Sequence, residues 1–237
     1  MNKRIWLTGA ARGIGFATAR LLADTDAVLF LSSTKSESFK DVVTLFKDYS
    51  NIYFMPCDVS DANEVKKTYA KIKKSHGGID ILINNAGVGI FKDFADTEIE
   101  DFDKTVAVNF KGAFLCTKAV LPDMIKNNKQ TMIINVSSVA TQKVFPGSAV
   151  YSASKAALLT MSKVMREELR PHNVKVIDIL PGATETDMWN DDIRKKYCKS
   201  MMKPDDVAQV ILNTIELNEN QRLLTEEIII RPVGGDL

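Results

Sequence analysis

Tyr151 and Lys155 stand four residues apart in Tyr151-Ser152-Ala153-Ser154-Lys155. On a helix, positions i and i+4 share a face, so the ammonium lies beside the phenol. A phenol titrates near 10 in water, and an adjacent cation favours the phenolate. Tyr151 is therefore a candidate proton donor and acceptor near neutral pH. A lone Tyr-xxx-Lys also arises as an ordinary pair on a helix surface. Upstream, Ile133-Ile134-Asn135-Val136-Ser137-Ser138 reads as a strand that delivers a hydroxyl at its end. Ser138 is placed to hydrogen-bond a carbonyl oxygen and polarise it, while strand alternation turns Ser137 the other way.

A second set of residues suits a bound anion. Thr8-Gly9-Ala10-Ala11-Arg12-Gly13-Ile14-Gly15 follows an apolar run and opens a helical pattern. Glycines allow a sharp turn, close approach to a pyrophosphate, and tight helix–strand packing. The helix then presents free N–H groups to the anion. The same glycine pattern also serves as a plain tight connection.

The second strand ends near Ser32-Ser33, where NAD-binding folds carry an acid for the ribose 2′-hydroxyl. Ser33, Thr34 and Lys35 stand there instead. No carboxylate repels a 2′-phosphate, and Arg12 and Lys35 can pair with one. NADP is favoured over NAD, the alternative being that both cations face solvent. At the third strand's end, Asp58 is suited to accept from an adenine amino group while Val59 packs on the ring. Asp58 is equally suited to cap the next helix. After the fourth strand, Asn84-Asn85-Ala86-Gly87 suits a turn that bonds neighbouring strands and lets a ligand lie against backbone.

The elements that must position these groups alternate. Apolar runs at Arg4–Leu7, Ala27–Leu31, Ile52–Met55, Ile79–Ile83, Thr131–Val136, Val174–Leu180 and Glu227–Ile230 read as strands covered on both faces. Helical patterns begin near Gly13, Ser36, Asp61, Glu98, Tyr151 and Pro204, about six in all. Ser60-Asp61 offers capping oxygens to the third. Pro122 should bend or shorten the helix spanning Glu98–Lys126. The alternation predicts an α/β class Rossmann fold, a doubly wound seven-stranded parallel sheet with helices on both faces. Residues 1–237 make one dinucleotide-binding and catalytic domain, with no room for a separate substrate domain. Ligands bind such sheets at the carboxyl ends of the strands.

Composition narrows the field. The chain has 237 residues, 45% hydrophobic and 26% charged, with 31 Lys+Arg against 30 Asp+Glu. A net charge of +1 supplies no field for nucleic acid or an anionic membrane. No apolar run is long enough for a membrane span. Cys57, Cys116 and Cys198 form no CxxC, so neither a disulfide framework nor a thiolate zinc site is expected, and free thiols fit the cytoplasm. A Ser/His/Asp hydrolase needs a placed histidine and usually Gly-x-Ser-x-Gly, which is absent. His76, in an expected loop before Gly77-Gly78, and His172, at a helix end, read as structural.

Taken in order, Thr8-Gly9-xxx-Gly13-x-Gly15, Asn84-Asn85-Ala86-Gly87, Ser138, Tyr151-xxx-Lys155 and Pro181-Gly182 resemble the short-chain dehydrogenase/reductase family, in its compact single-domain branch. The likeness runs from Lys3 to Gly234-Gly235. It implies hydride transfer between NADP(H) and a small carbonyl or alcohol substrate. Tyr151 would be the acid/base and Ser138 would orient the carbonyl. Lys155 would bind the nicotinamide ribose and lower the Tyr151 pKa. Asn109, in Val108-Asn109-Phe110-Lys111-Gly112, would support a water-mediated proton relay to the lysine, and Thr186 would anchor the carboxamide. Cofactor contacts carried over to matching positions would come from Gly9, Ala11, Arg12, Gly13, Ile14, Gly15, Ser33, Thr34, Lys35, Asp58, Val59, Asn85, Ala86, Gly87, Tyr151, Lys155, Pro181, Gly182, Thr184 and Thr186.

Two departures from the family pattern are visible. Asp24-Thr25-Asp26 replaces a usual glycine before the second strand, so a different turn is expected there. Arg231-Pro232 is an unusual run-in to the terminal glycines. The resemblance is nearest to 3-oxoacyl-thioester reductases and generic carbonyl reductases. Asp187–Lys203, with Met188, Trp189, Met201 and Met202, should line the pocket, with Val88, Phe91, Val139 and Phe145 as further apolar walls. The family implies a homodimer or homotetramer through Glu98–Lys126 and Tyr151–Arg170, where Phe110, Phe114, Leu158, Met161 and Met165 are contact or core candidates. The rival reading is a catalytically silent NADP(H)-binding redox sensor or regulatory protein.

Overall fold

A computed structural model of the chain describes residues 2–34, 37–127 and 129–235. Seven parallel strands, β1 (Arg4–Thr8), β2 (Val28–Ser32), β3 (Ile52–Phe54), β4 (Ile81–Asn84), β5 (Thr131–Val136), β6 (Val174–Pro181) and β7 (Glu227–Ile230), form one sheet in the order 3-2-1-4-5-6-7. The order reverses between β1 and β4, which opens a crevice at their carboxyl ends. The helices are α1 (Gly13–Ala23), α2 (Glu37–Leu45), α3 (Ala62–His76), α4 (Ile99–Val106), α5 (Ala113–Lys126), α6 (Ala149–Leu169), α7 (Asp191–Tyr197) and α8 (Pro204–Leu217).

Strand alternation sorts the core into two layers. Ile5, Leu7, Leu29, Leu31, Ile81, Ile83, Ile134 and Ile177 pack with Leu22 of α1, Val42 of α2 and Ile211 of α8. Trp6, Phe30, Leu82, Ile133 and Val176 face the other way, onto Val65 and Tyr69 of α3 and Cys116 and Val120 of α5. Both faces of each central strand are buried, which is why the strand runs lack a period of two.

Several local expectations are met by identifiable bonds. The Asp61 side chain caps α3 by accepting from the N–H groups of Asn63 and Glu64 at 2.7 and 3.1 Å, so capping falls to Asp61 and not to Asp58. The Asp24-Thr25-Asp26 turn needs no glycine. Asp24 has φ −80°, and the Thr25 hydroxyl donates to Leu22 O at 2.7 Å.

Other expectations are corrected. The Glu98–Lys126 stretch is interrupted at Ala107–Gly112, which forms π-helical turns, and not at Pro122, through which α5 continues to Lys126. The sequence reading has no helix at Asp191–Tyr197. One forms there, capped by the Asn190 side chain accepting from Ile193 N at 2.8 Å. His76 ends α3, with its ring against Tyr53 and Phe30, and does not lie in a loop. Among the described residues, no helix is long and apolar enough to cross a membrane.

Candidate active site

The turn between β1 and α1 is pressed against the turn after β4. Asn85 Nδ2 donates to the carbonyls of Thr8 and Gly9 at 3.0 and 3.1 Å, and the Thr8 hydroxyl accepts from the N–H groups of Asn85 and Ala86, each at 3.1 Å. Little space remains for side chains. A Cβ on Gly15 would lie 2.1 Å from Gly9 O, and one on Gly9, at φ +69°, would lie 2.7 Å from Ala86 Cα. The glycines are therefore demanded by the joint itself, whatever binds above it.

Beyond the joint, α1 begins at an uncapped end. Arg12 precedes it in an extended conformation with no side-chain capping bond, and no acidic residue occupies the first turn. N–H groups at such an end, with the helix dipole behind them, attract an anion. The Arg12 side chain is exposed and has no hydrogen-bond or ion-pair partner among the described residues. Thr186 lies across the turn from it. Its Cγ2 would be 3.1 Å from a Cβ on Gly13, and together with Phe16, Arg20 and Pro204 these residues line a cleft.

Further along this edge, β2 ends at Ser32, which takes the Trp6 indole N–H at 2.9 Å, and Ser33 and Thr34 follow. No carboxylate occupies these three positions. Lys35 lies outside the described residues. Asp58 folds back on Ser60, accepting from its N–H at 2.9 Å and its hydroxyl at 2.7 Å. Val59 packs where a Cβ on Gly112 would be, with its Cγ2 2.7 Å from that position.

The second half of the site hangs from α6. Tyr151, Lys155 and Ser138 are all nearly buried. Burial raises the Tyr151 phenol pKa, and the Ser138 hydroxyl beside it opposes this only in part. Burial also lowers Lys155, to about 8. Its Nζ donates to Val136 O at 2.8 Å and sits 6.0 Å from the Tyr151 ring centroid. The expected proximity of cation and phenol is present, yet burial dominates both groups in the protein alone. Ser137 turns away as expected, its hydroxyl donating to Lys155 O at 3.4 Å.

Asn109 sits inside the π-helical interruption. Its amide accepts from Val88 N at 2.8 Å and donates to Val88 O at 2.9 Å and to the Ser154 hydroxyl at 3.1 Å. It thereby ties the loop after β4 to α6. A Cβ on Gly87 would be 3.5 Å from both Asn109 Oδ1 and Lys155 Nζ, so bare backbone separates the two. The structure thus brings Gly87, Asn109, Ser138, Tyr151 and Lys155 together.

Pro181 ends β6, and Gly182 is held by its N–H on Ile230 O at 2.8 Å. Thr184 is buried and its hydroxyl donates to Gly182 O at 3.0 Å, which holds the turn. Ala11 and Ile14 line the β1–α1 turn and pack on the first core layer.

Sequence reasoning passed over three supporting groups. Thr8 organises the Asn85 turn, Ser154 holds Asn109, and the Val136 carbonyl holds Lys155. Ser154 was findable, since i+3 from Tyr151 lies on nearly the same helix face. The wall next to Tyr151 is aromatic. Phe91 meets it at 5.4 Å between ring centroids and stacks on Trp189 at 5.6 Å. Of the oligomer candidates, Leu158 is core, while Phe114 is 47% exposed.

The family model for short chain dehydrogenase matches residues 3–197. Dehydrogenase/reductase SDR family member 4 of Sus scrofa is 35% identical, over 99% of this chain and 86% of its own. Sepiapterin reductase of Chlorobaculum tepidum is 34% identical, over 100% of this chain and 99% of its own. Among solved structures, ElxO with NADP bound superposes with a TM-score of 0.87 at 27% identity, covering 98% of each chain. A metagenomic short-chain oxidoreductase in complex with NADP gives 0.82 at 29%, covering 98% of this chain and 97% of its own. The family model spans most of the chain and these relatives cover nearly all of it, and the chain belongs to the short-chain dehydrogenase/reductase family of oxidoreductases.

Proposed function

We propose that the chain transfers a hydride between NADP(H) and a carbonyl/alcohol pair, with Tyr151 as acid and base. The observation that carries this reading is the buried convergence of the Tyr151 phenol, the Ser138 hydroxyl and the Lys155 ammonium beside the bare backbone of Gly87. Bound, the reduced nicotinamide supplies the hydride that adds to the carbonyl carbon. Tyr151 gives the carbonyl oxygen its proton, so one carbonyl becomes one alcohol, and in oxidation the phenolate takes that proton back. Ser138 donates toward the same oxygen and orients it. Lys155, charged below about pH 8, stabilises the phenolate left after proton transfer. Asn109 fixes the loop that carries Gly87 and supports proton supply to Lys155.

The cofactor residues fit NADP. Gly9, Gly13 and Gly15 keep the joint bare, and the uncapped α1 end suits the pyrophosphate. Arg12 is free to pair with a 2′-phosphate, and no carboxylate at Ser32–Thr34 opposes it. The NADP-bound neighbours support NADP(H) binding. Asp58 Oδ2 and Val59 would take the adenine, and Thr186 the carboxamide. A 3-oxoacyl thioester and a simpler ketone or aldehyde both suit the site's chemistry. The free thiols of Cys57, Cys116 and Cys198 support a cytoplasmic setting. Exposed Phe102, Phe114 and Val164 on α4, α5 and α6 support a homodimer or homotetramer.

The test is NADPH consumption against a 3-oxoacyl thioester, a diketone, an aromatic aldehyde and a keto-sugar, with NADH alongside. Turnover that Tyr151→Phe abolishes while NADPH still binds is the expected result. Tight NADPH binding without turnover of any carbonyl by the wild type would favour the redox-sensor reading instead.

A further inference from the structure

We propose that the stacked pair Phe91–Trp189 is a recognition platform that selects planar, conjugated carbonyl compounds as substrates. This rests on the reading of Tyr151 as the acid/base and adds the class of molecule presented to it.

The pair is built from two distant segments, the loop after β4 and the turn after β6. The rings lie 14° from parallel with centroids 5.6 Å apart. Phe91 also lies against the Tyr151 ring, tilted by 59° at 5.4 Å. The platform is therefore continuous with the group that moves the proton. Its plane is fixed from the Trp189 side. The indole Nε1–H donates to Thr184 O at 2.9 Å, and the Thr184 hydroxyl is tied to Gly182 O at 3.0 Å. Phe91 rests on this anchored indole and is 39% exposed, which leaves aromatic surface open next to the Tyr151 ring.

The backbone makes room for it. A Cβ on Gly89 would lie 2.7 Å from Met188 Cγ, 2.8 Å from Phe91 Cε2 and 2.9 Å from Met188 Sδ. Gly89 has no positive φ, so it is space and not conformation that calls for glycine. Met188 adds a polarisable thioether beside the ring, a favourable partner for aromatic groups. Several charged side chains nearby in sequence are held in ion pairs. Asp187 holds Arg194 at 2.5 Å, Lys92 holds Asp101 at 2.5 Å, and Glu185 pairs with Lys203. The wall thus offers rings and sulfur. Two rings this far apart and nearly parallel are offset, which leaves part of each face uncovered for a third ring to extend the stack. A flexible acyl chain gains only burial there, whereas a planar conjugated carbonyl gains burial and stacking together.

The chain carries its own reporter. Its only tryptophans are Trp6 and Trp189, and Trp6 is fully buried in β1 on the Ser32 hydroxyl. Indole fluorescence is titrated with isatin, a planar aromatic dicarbonyl, and with hexane-2,3-dione, a flexible one. The titration uses wild type, Tyr151→Phe and, as the blank, Trp189→Phe. Turnover of both compounds with NADPH is measured in parallel. The expected result is saturable quenching by isatin in wild type and in Tyr151→Phe, lost in Trp189→Phe. The isatin-to-dione ratio of kcat/KM should fall about tenfold in Phe91→Ala, chiefly through KM, and partly recover in Phe91→Tyr. Equal binding of the two compounds, or an unchanged ratio in Phe91→Ala, overturns the platform even if both are reduced. Saturable isatin quenching with no turnover leaves the platform standing and removes the oxidoreductase reading. Absence of both overturns both.

Discussion

Replacing Gly15 by alanine tests the idea that the glycine joint is dictated by the protein's own packing. The added carbon would sit 2.1 Å from Gly9 O and 2.4 Å from Asn85 Nδ2. Neither neighbour can swing away. Gly9 O is backbone, and Asn85 Nδ2 is engaged with Thr8 O and Gly9 O. Relief requires the β1–α1 turn and the post-β4 turn to separate by about 1 Å, an overpacking that costs roughly 1–3 kcal/mol. The two Asn85 hydrogen bonds stretched in the process add about 1 kcal/mol each. The sum is about 3–5 kcal/mol, or roughly 6–20 °C in Tm for a chain of this size.

Gly13→Ala should cost less. Its Cβ would meet only the Thr186 methyl at 3.1 Å, which can rotate, leaving chiefly the penalty of φ +55°, about 1–2 kcal/mol. Gly234→Ala should be silent, because nothing lies within 4 Å of its added carbon. Thermal melting of the three variants, with and without NADPH, gives the ranking, and NADPH binding should fail in Gly15→Ala in step with its stability. A Gly15→Ala protein that melts within about 2 °C of wild type, or above Gly13→Ala, would refute the reasoning.

Three further outcomes are expected. Burial raises Asp178 from 3.8 to about 7, so between about pH 4 and 7 the folded chain holds a proton that the unfolded chain has lost, and stability falls as pH rises through that window. The Tm of wild type relative to Asp178→Asn should therefore drop by several degrees from pH 4.5 to 7.5, and a constant difference refutes the shift. Arg12→Ala should weaken NADPH binding on the order of tenfold by removing one charge-assisted contact, while NADH binding changes less than twofold; equal losses would show that Arg12 does not meet the 2′-phosphate. Lys155 loses its proton above about pH 8, so kcat/KM for carbonyl reduction should decline from pH 7 to 9.5, and a flat profile argues against its electrostatic role.

The parts of the fold legible in the sequence were those fixed by local pattern. Thr131–Val136 is buried on both faces and forms a strand with the bounds its pattern gives, while Ile81–Asn84 overlaps the apolar run Ile79–Ile83 with its ends shifted. The interruption at Ala107–Gly112 was not legible, because its cause is distant. Asn109 bonds both backbone groups of Val88, 21 residues away, and no local rule at Pro122 could report this. Helix α7 carried a capping signal in Asn190-Asp191-Asp192, but its face has too few apolar residues to register as periodic. Within the site, Tyr151, Lys155 and Ser138 were legible from spacing. The Phe91–Trp189 contact was not, since only the folded sheet brings the post-β4 and post-β6 segments side by side.

Contacts between distant segments also place the buried polar groups behind the site. Register aligns Asn84 with Asn135 and Asn135 with Asp178 across β4, β5 and β6. Asn84 reaches Thr117 of α5 at 3.2 Å, Asn135 reaches Ser162 of α6 at 2.8 Å, and Asp178 pairs with Arg166 of α6 at 2.9 Å. Apolar burial at these positions would hold the layers together at least as well, since a buried polar or charged contact seldom outdoes a hydrophobic replacement. Apolar contacts, however, tolerate rotation of a helix about its axis, and directional bonds do not. Tyr151, Lys155, Leu158, Ser162 and Arg166 form one buried stripe of α6. Turning α6 by one residue would break Ser162 from Asn135 and Arg166 from Asp178 while swinging Tyr151 away from Ser138. The polar row therefore sets the helix rotation from its far end, and the position of the phenol follows from it.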